Sequence, residues 1–151
     1  MKIAVDDLSG PQIVGFLEEH VRQMREISPP ESKHALDLDG LRRPEVTFWS
    51  VHDGAELVGC GALKRLDARH AELKSMRTAV ARKRGGVATL LLEHILGEAR
   101  AAGFTRVSLE TGSAAFFLPA RRLYAKFGFA ECAPFADYRP DPLSTFMTRT
   151  L

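Results

Sequence analysis

The feature that most constrains this chain is a change of period at one loop. Ala71–Val80 reads as a strand and runs into Arg82-Lys83-Arg84-Gly85-Gly86-Val87-Ala88. Beyond the two glycines, Val87, Leu90, Leu91, Ile95 and Ala99 recur on one helical face, and Gly103 supplies a stop. A strand that enters a helix this way leaves the unpaired N–H groups and the positive dipole end of the first turn facing outward. Glycine admits a ligand close to the backbone, small Ala88 leaves the turn uncrowded, and the flanking cations attract phosphate. From the residues alone the loop is either an anion cradle or a basic turn that caps a helix.

The sequence before the loop is a meander. Val46-Thr47-Phe48-Trp49-Ser50-Val51, an Asp53-Gly54 turn and Leu57–Leu63 predict a hairpin, and the short polar link Asp67–His70 leads to the third strand. Upstream, Met1–Val5 reads as an edge strand. Ser9 with Pro11 signals a helix start, and Ile13, Leu17, Val21 and Met24 form its apolar stripe, ending before Ser28-Pro29-Pro30. Residues 28–44 read as irregular, with a short helix around Asp39–Arg42. Downstream, Val107–Thr111 is a strand. Pro119 opens a helix carrying Ala120, Leu123, Tyr124 and Phe127, which Gly128 ends. Phe129–Cys132 and Ser144–Leu151 close the sheet around a long loop. The helical crossover between the fourth and fifth strands makes that pair parallel within an otherwise antiparallel sheet. A meander feeding the loop argues against a dinucleotide fold, and neither GxxxxGK[ST] nor GxGxxG after a first strand is present.

Composition narrows the function. A chain of 151 residues suits a single domain, 1–151, and 45% hydrophobic with 26% charged residues is ordinary globular content. No apolar run approaches the roughly 20 residues of a membrane helix, and the amino terminus lacks a signal peptide's apolar stretch. The expectation is a cytoplasmic protein without a membrane partner. A net charge of +2 is small for a nucleic-acid binder, so no nucleic acid is expected. The cations cluster at Arg82–Arg84 and Arg121-Arg122, which suits one small anionic ligand. Cys60 and Cys132 sit alone in apolar runs and read as buried thiols. The five histidines show no ligand spacing, so no metal is expected. Phe48 and Trp49 read as packing residues.

The segment Lys83–Ala88 resembles the Q/R-x-x-G-x-G/A motif of the GNAT family of N-acetyltransferases, with Gly86 and Ala88 at its last two fixed positions. Leu123-Tyr124-Ala125-Lys126-Phe127-Gly128-Phe129 resembles the family's L-Y-x-x-x-G-F, and the order of elements matches over essentially the whole chain. Cys60–Lys64 and Lys74–Arg77 are similar to a bacterial subgroup of small acetyltransferases. The resemblance implies an α+β, three-layer fold with a central mixed, mostly antiparallel sheet of about seven strands and helices on both faces. It implies acetyl-coenzyme A as cosubstrate, no metal, and direct transfer to an amine acceptor, a small molecule rather than a protein. Homodimers are common in the family.

By the same resemblance, Lys83, Arg84, Gly85, Gly86, Val87 and Ala88 hold the pyrophosphate. Met76, Arg77 and Thr78 offer backbone groups to the pantetheine, in a cleft often helped by a bulge in the fourth strand, and their amides polarise the thioester carbonyl. Phe117 and Ala120 lie along the arm, and Tyr124 protonates the departing thiolate. Glu72 is the first candidate for the base, Glu110 the second, and Asp37, Asp39 or His34 could instead bind or deprotonate the acceptor. Phe116, Phe117 and Phe135 are candidates to wall an acceptor pocket, whose specificity is expected from residues 25–44 and 130–143. Two positions depart from the pattern. Lys83 replaces glutamine or arginine and loses the planar fork. Phe117 stands where many members carry an asparagine that touches the pantetheine. A coenzyme A-binding sensor that has lost turnover is the alternative function.

Overall fold

The computed structural model describes residues 1–27 and 37–151; His34 and most of the expected irregular segment lie outside them. The described elements begin with β1 (Lys2–Val5), α1 (Pro11–Ile27), α2 (Leu38–Leu41), β2 (Val46–Asp53), β3 (Glu56–Arg65) and β4 (His70–Thr78). They continue with α3 (Val87–Ala101), β5 (Arg106–Gly112), α4 (Leu118–Lys126), β6 (Ala130–Glu131) and β7 (Ser144–Thr150). The sheet order is β1-β2-β3-β4-β5-β7-β6. β4 and β5 are parallel, as the helical crossover requires, and β1–β2, β5–β7 and β6–β7 are antiparallel. The fold is α+β, with a mixed seven-stranded sheet and four α-helices among the described residues.

By its contacts the chain divides into two compact units. The first comprises Met1–Ala62 and Ser75–Leu91. Its core gathers Leu8, Ile13, Leu17, Phe48, Leu57, Cys60 and Ala62, with Phe16, Leu38, Leu41 and Val46 against it. Ile13, Leu17 and Met24 of the expected stripe are buried on α1, and Val21 is half-buried. Leu57–Leu63 of β3 is buried without alternation, the pattern of a strand covered on both sides. Phe48 and Trp49 are both buried, so the packing reading holds for each.

The second unit comprises Leu63–Lys74 and Leu92–Leu151. The β4–β5 ladder runs from His70↔Arg106 to Leu73↔Leu109, and β5 continues against β7 to Gly112↔Ser144. α3 ends as Gly103 N–H bonds to Arg100 C=O and Phe104 N–H to Ala99 C=O, a closure of the Schellman type. In the second unit's part of this helix the buried residues are Leu92, Ile95, Leu96 and Ala99. Leu92 and Leu96 were not in the expected stripe, because a helix buried over a wide arc no longer shows a single narrow face. Cys132 is only partly buried, unlike Cys60.

Candidate active site

In the first unit β4 leads into the basic loop. Ser75 has φ of 55°, a left-handed conformation costly for a side-chain-bearing residue and typical of β-bulges. The Cys60 thiol donates to the Ser75 carbonyl at 3.3 Å, and burial pushes that thiol up to about 12. Met76, Arg77 and Thr78 follow, all half-buried.

The loop itself has a left-handed residue at alternate positions, Arg84 at φ 68° and Gly86 at φ 83°. Alternation of this kind is the backbone pattern of anion-binding nests; here the Gly85 amide donates to Arg82 C=O at 3.1 Å and the Lys83 amide to Val80 C=O at 3.4 Å. α3 starts at Val87, so the unpaired amides of its first turn adjoin this loop. The Val87 side chain is buried, and a Cβ on Gly59 would stand 2.7 Å from its Cγ1. Val87 therefore has its backbone to offer a ligand, while its side chain pins the start of α3. Lys83, Arg84, Gly85 and Gly86 are exposed. Arg82 is ion-paired with Asp53 of the hairpin turn, which ties down the loop and engages that cation.

In the second unit, register places one set of side chains on a common face: His70 and Glu72 of β4, Ser108 and Glu110 of β5, Phe146 and Thr148 of β7. Glu72 is 3% exposed and accepts a 2.5 Å hydrogen bond from the Tyr138 hydroxyl; Lys74 Nζ lies 3.9 Å away. Tyr138 stacks edgewise on Phe135 and Phe146, with ring centroids 5.1 and 5.4 Å away. Desolvation, reinforced by the Glu72 carboxylate, holds the Tyr138 phenol above its ordinary pKa. His70 Nε2 and Ser108 Oγ are 2.7 Å apart, and Ser108 Oγ and Thr148 Oγ1 2.8 Å. Burial pushes His70 down, favouring neutral imidazole. Glu110 accepts from the Ser144 hydroxyl at 2.6 Å. Glu72 and Glu110 were singled out from the sequence; His70, Ser108, Thr148 and Tyr138, which surround them, were not. The strand register could have found the first three; no local signal marks Tyr138.

Tyr124 lies on α4, its ring buried and edge-on to Phe129 at 5.9 Å. Burial raises its pKa, so the phenol keeps its proton at neutral pH. Desolvation alone acts on it, with no hydrogen bond to the hydroxyl from the described residues. Phe117 covers the end of β5: a Cβ on Gly112 would fall 2.1 Å from the Phe117 ring. Phe117 and Phe116 pack edge to face, Ala120 is half-buried, and Arg121 donates to the Gly112 and Ala114 carbonyls at 2.6 and 3.0 Å. Phe135 belongs instead to the Tyr138 cluster and also meets His70. Asp37 caps α2 by accepting from the Gly40 amide, which gives it a structural role; Asp39 is exposed.

A helix that opens on a basic loop with left-handed residues leaves the unpaired amides of its first turn as a candidate anion site. Comparison with known proteins narrows the class. The acetyltransferase (GNAT) family model matches residues 13–129. The uncharacterized N-acetyltransferase YsnE of Bacillus subtilis is 58% identical, with both chains covered fully, and the uncharacterized N-acetyltransferase YedL of Escherichia coli is 54% identical over 99% of this chain and 94% of that one. Among solved structures, a GNAT family acetyltransferase from Elizabethkingia anophelis with acetyl-CoA bound superposes with a TM-score of 0.68 at 16% identity, covering 99% of this chain and 97% of that one. The chain belongs to the GNAT acetyltransferase family. Among the described residues, no helix is long and apolar enough to cross a membrane.

Proposed function

We propose that the protein transfers an acetyl group from acetyl-coenzyme A directly to a small amine, with Lys83–Ala88 as the pyrophosphate cradle. The left-handed residues Arg84 and Gly86 before the unpaired first turn of α3 support this reading, since that backbone pattern suits an anion. The crystallised relative with acetyl-CoA bound supports the choice of cosubstrate. Met76–Thr78 follow a left-handed residue and are assigned the pantetheine amide and the thioester carbonyl. Negative charge on that carbonyl grows as the amine attacks, and fixed N–H donors meet it without reorganisation.

The attacking amine has to shed a proton. Glu72, buried and aimed by Tyr138, is assigned the base ahead of Glu110. Tyr124 is assigned the general acid, since burial keeps its phenol protonated until the thiolate develops. Phe117 and Ala120 are assigned to the arm of the cofactor; an aromatic edge at 117 gives contact where the family's asparagine gives a hydrogen bond.

Release of free thiol from acetyl-coenzyme A, measured against a panel of small amines, tests the reaction. Tyr124→Phe then tests the acid: kcat is expected to fall on the order of 10²-fold, with cofactor affinity changed far less. Full turnover by a well-folded Tyr124→Phe protein removes Tyr124 from the mechanism.

A further inference from the structure

Arg77 sits two residues beyond the left-handed Ser75, and its side chain runs to α1. The guanidinium carbon lies 4.8 Å from the centre of the Phe16 ring, and Nη1 is 3.4 Å from Gln23 Oε1. Phe16 and Gln23 are two turns apart on one face of α1, so ring and amide hold the guanidinium plane from two points. Phe16 itself rests on the first unit's core. The guanidinium is thus fixed rather than sweeping through solvent.

Among the described residues its charge is only partly offset, by the field of Glu19. Arg77 Nε is buried without a hydrogen-bond partner, and Arg77 makes no ion pair among the described residues. Glu19, on the turn of α1 between Phe16 and Gln23, is ion-paired with Arg22. The neighbouring Cys60 thiol is held neutral by burial. Desolvation draws the guanidinium's own pKa below its ordinary value, the mark of a cation taken partly out of water. Buried polar atoms are nearly always satisfied, and partly buried charges are normally paired. A fixed planar fork with spare donors fits a carboxylate in two-point contact.

We infer that Arg77 anchors a carboxylate on the acceptor, which makes the substrate an amine of amino-acid type rather than a polycationic one. This rests on the acetyl-transfer reading, in which the backbone of the same segment lies along the pantetheine. The side chain of Arg77 leaves that backbone toward α1, so one residue serves cofactor and acceptor through different groups.

The test uses the whole protein loaded with coenzyme A and measures binding by NMR titration, so turnover is not needed. The probes are the common amino acids, each against its carboxamide, with phosphoethanolamine against ethanolamine as a phosphate arm. The expected result is at least one amino acid bound tenfold or more tightly than its amide. Arg77→Gln should abolish that preference and Arg77→Lys keep part of it, each measured on protein saturated with coenzyme A. A wild-type protein that treats every acid and amide alike, or binds none, overturns the inference. So does a preference that survives Arg77→Gln, a preference confined to phosphoethanolamine, or a loss confined to coenzyme A affinity. Failure of the wild type to bind coenzyme A at all would instead remove the acetyl-transfer reading.

Discussion

Gly86 gives the sharpest test of the anion cradle, because its two constraints separate cleanly. Its φ of 83° lies where a Cβ is costly, yet a Cβ built there would meet nothing within 4 Å. Gly86→Ala should therefore cost backbone strain alone, about 1–2 kcal/mol. For a chain of this size each kcal/mol lowers Tm by roughly 2–4 °C. Gly86→Asn should cost less, since asparagine tolerates the left-handed region better than alanine does. Gly86→Asp matches asparagine in shape and adds one negative charge. Two unit charges about 4 Å apart interact by about 4 kcal/mol at an effective dielectric of 20. The loop is exposed, so the realised penalty is smaller, on the order of 1.4 kcal/mol, or tenfold in Kd. Calorimetric titration with acetyl-coenzyme A should find asparagine near wild type and aspartate at least tenfold weaker. The gap should narrow as salt is raised, because the charges are screened. Equal affinities for the two variants, or a gap indifferent to salt, would refute the cradle.

Three further outcomes follow from the second unit. Glu72→Gln keeps size and removes the proton acceptor, so the acidic limb of the pH–rate profile should flatten; an unchanged profile moves the role to Glu110. Tyr138→Phe removes the hydrogen bond that holds the Glu72 carboxylate in place, so kcat should fall while thermal stability barely changes; unchanged turnover excludes Tyr138 as a positioning residue. Gly112→Ala drives a methyl into the Phe117 ring and should cost about 1–3 kcal/mol in denaturant unfolding. That cost should shrink in a Phe117→Asn background, and strict additivity of the two would disprove the contact.

What could be read from the sequence depended on how far apart the interacting residues lie in the chain. The switch from strand to helix at Gly86 is written within a few residues, as a loss of alternation, two glycines and a helical stripe, and β4 and α3 lie where those signals put them. The parallel β4–β5 pair followed from topology, since a helical crossover leaves no antiparallel option. The cluster around Glu72 carries no such local mark. Glu72 and Tyr138 are 66 residues apart, and the partners of the Arg82–Asp53 pair are 29 apart. Nothing in the spacing of either pair distinguishes it from chance. Ser108 looked like an ordinary strand residue, and becomes informative once register sets it opposite Glu72 and Thr148. Arg77 lay inside a matched segment, and its surroundings on α1 distinguish its side chain from the backbone that the motif concerns. A loop of consecutive residues such as Lys83–Ala88 is a local object, whereas a cluster assembled from loop and strand side chains is not. Tyr138 belongs to the second kind: it reaches Glu72 from the stretch between β6 and β7, where a change of loop sequence alters what caps the carboxylate without disturbing the β4–β5 ladder beneath it.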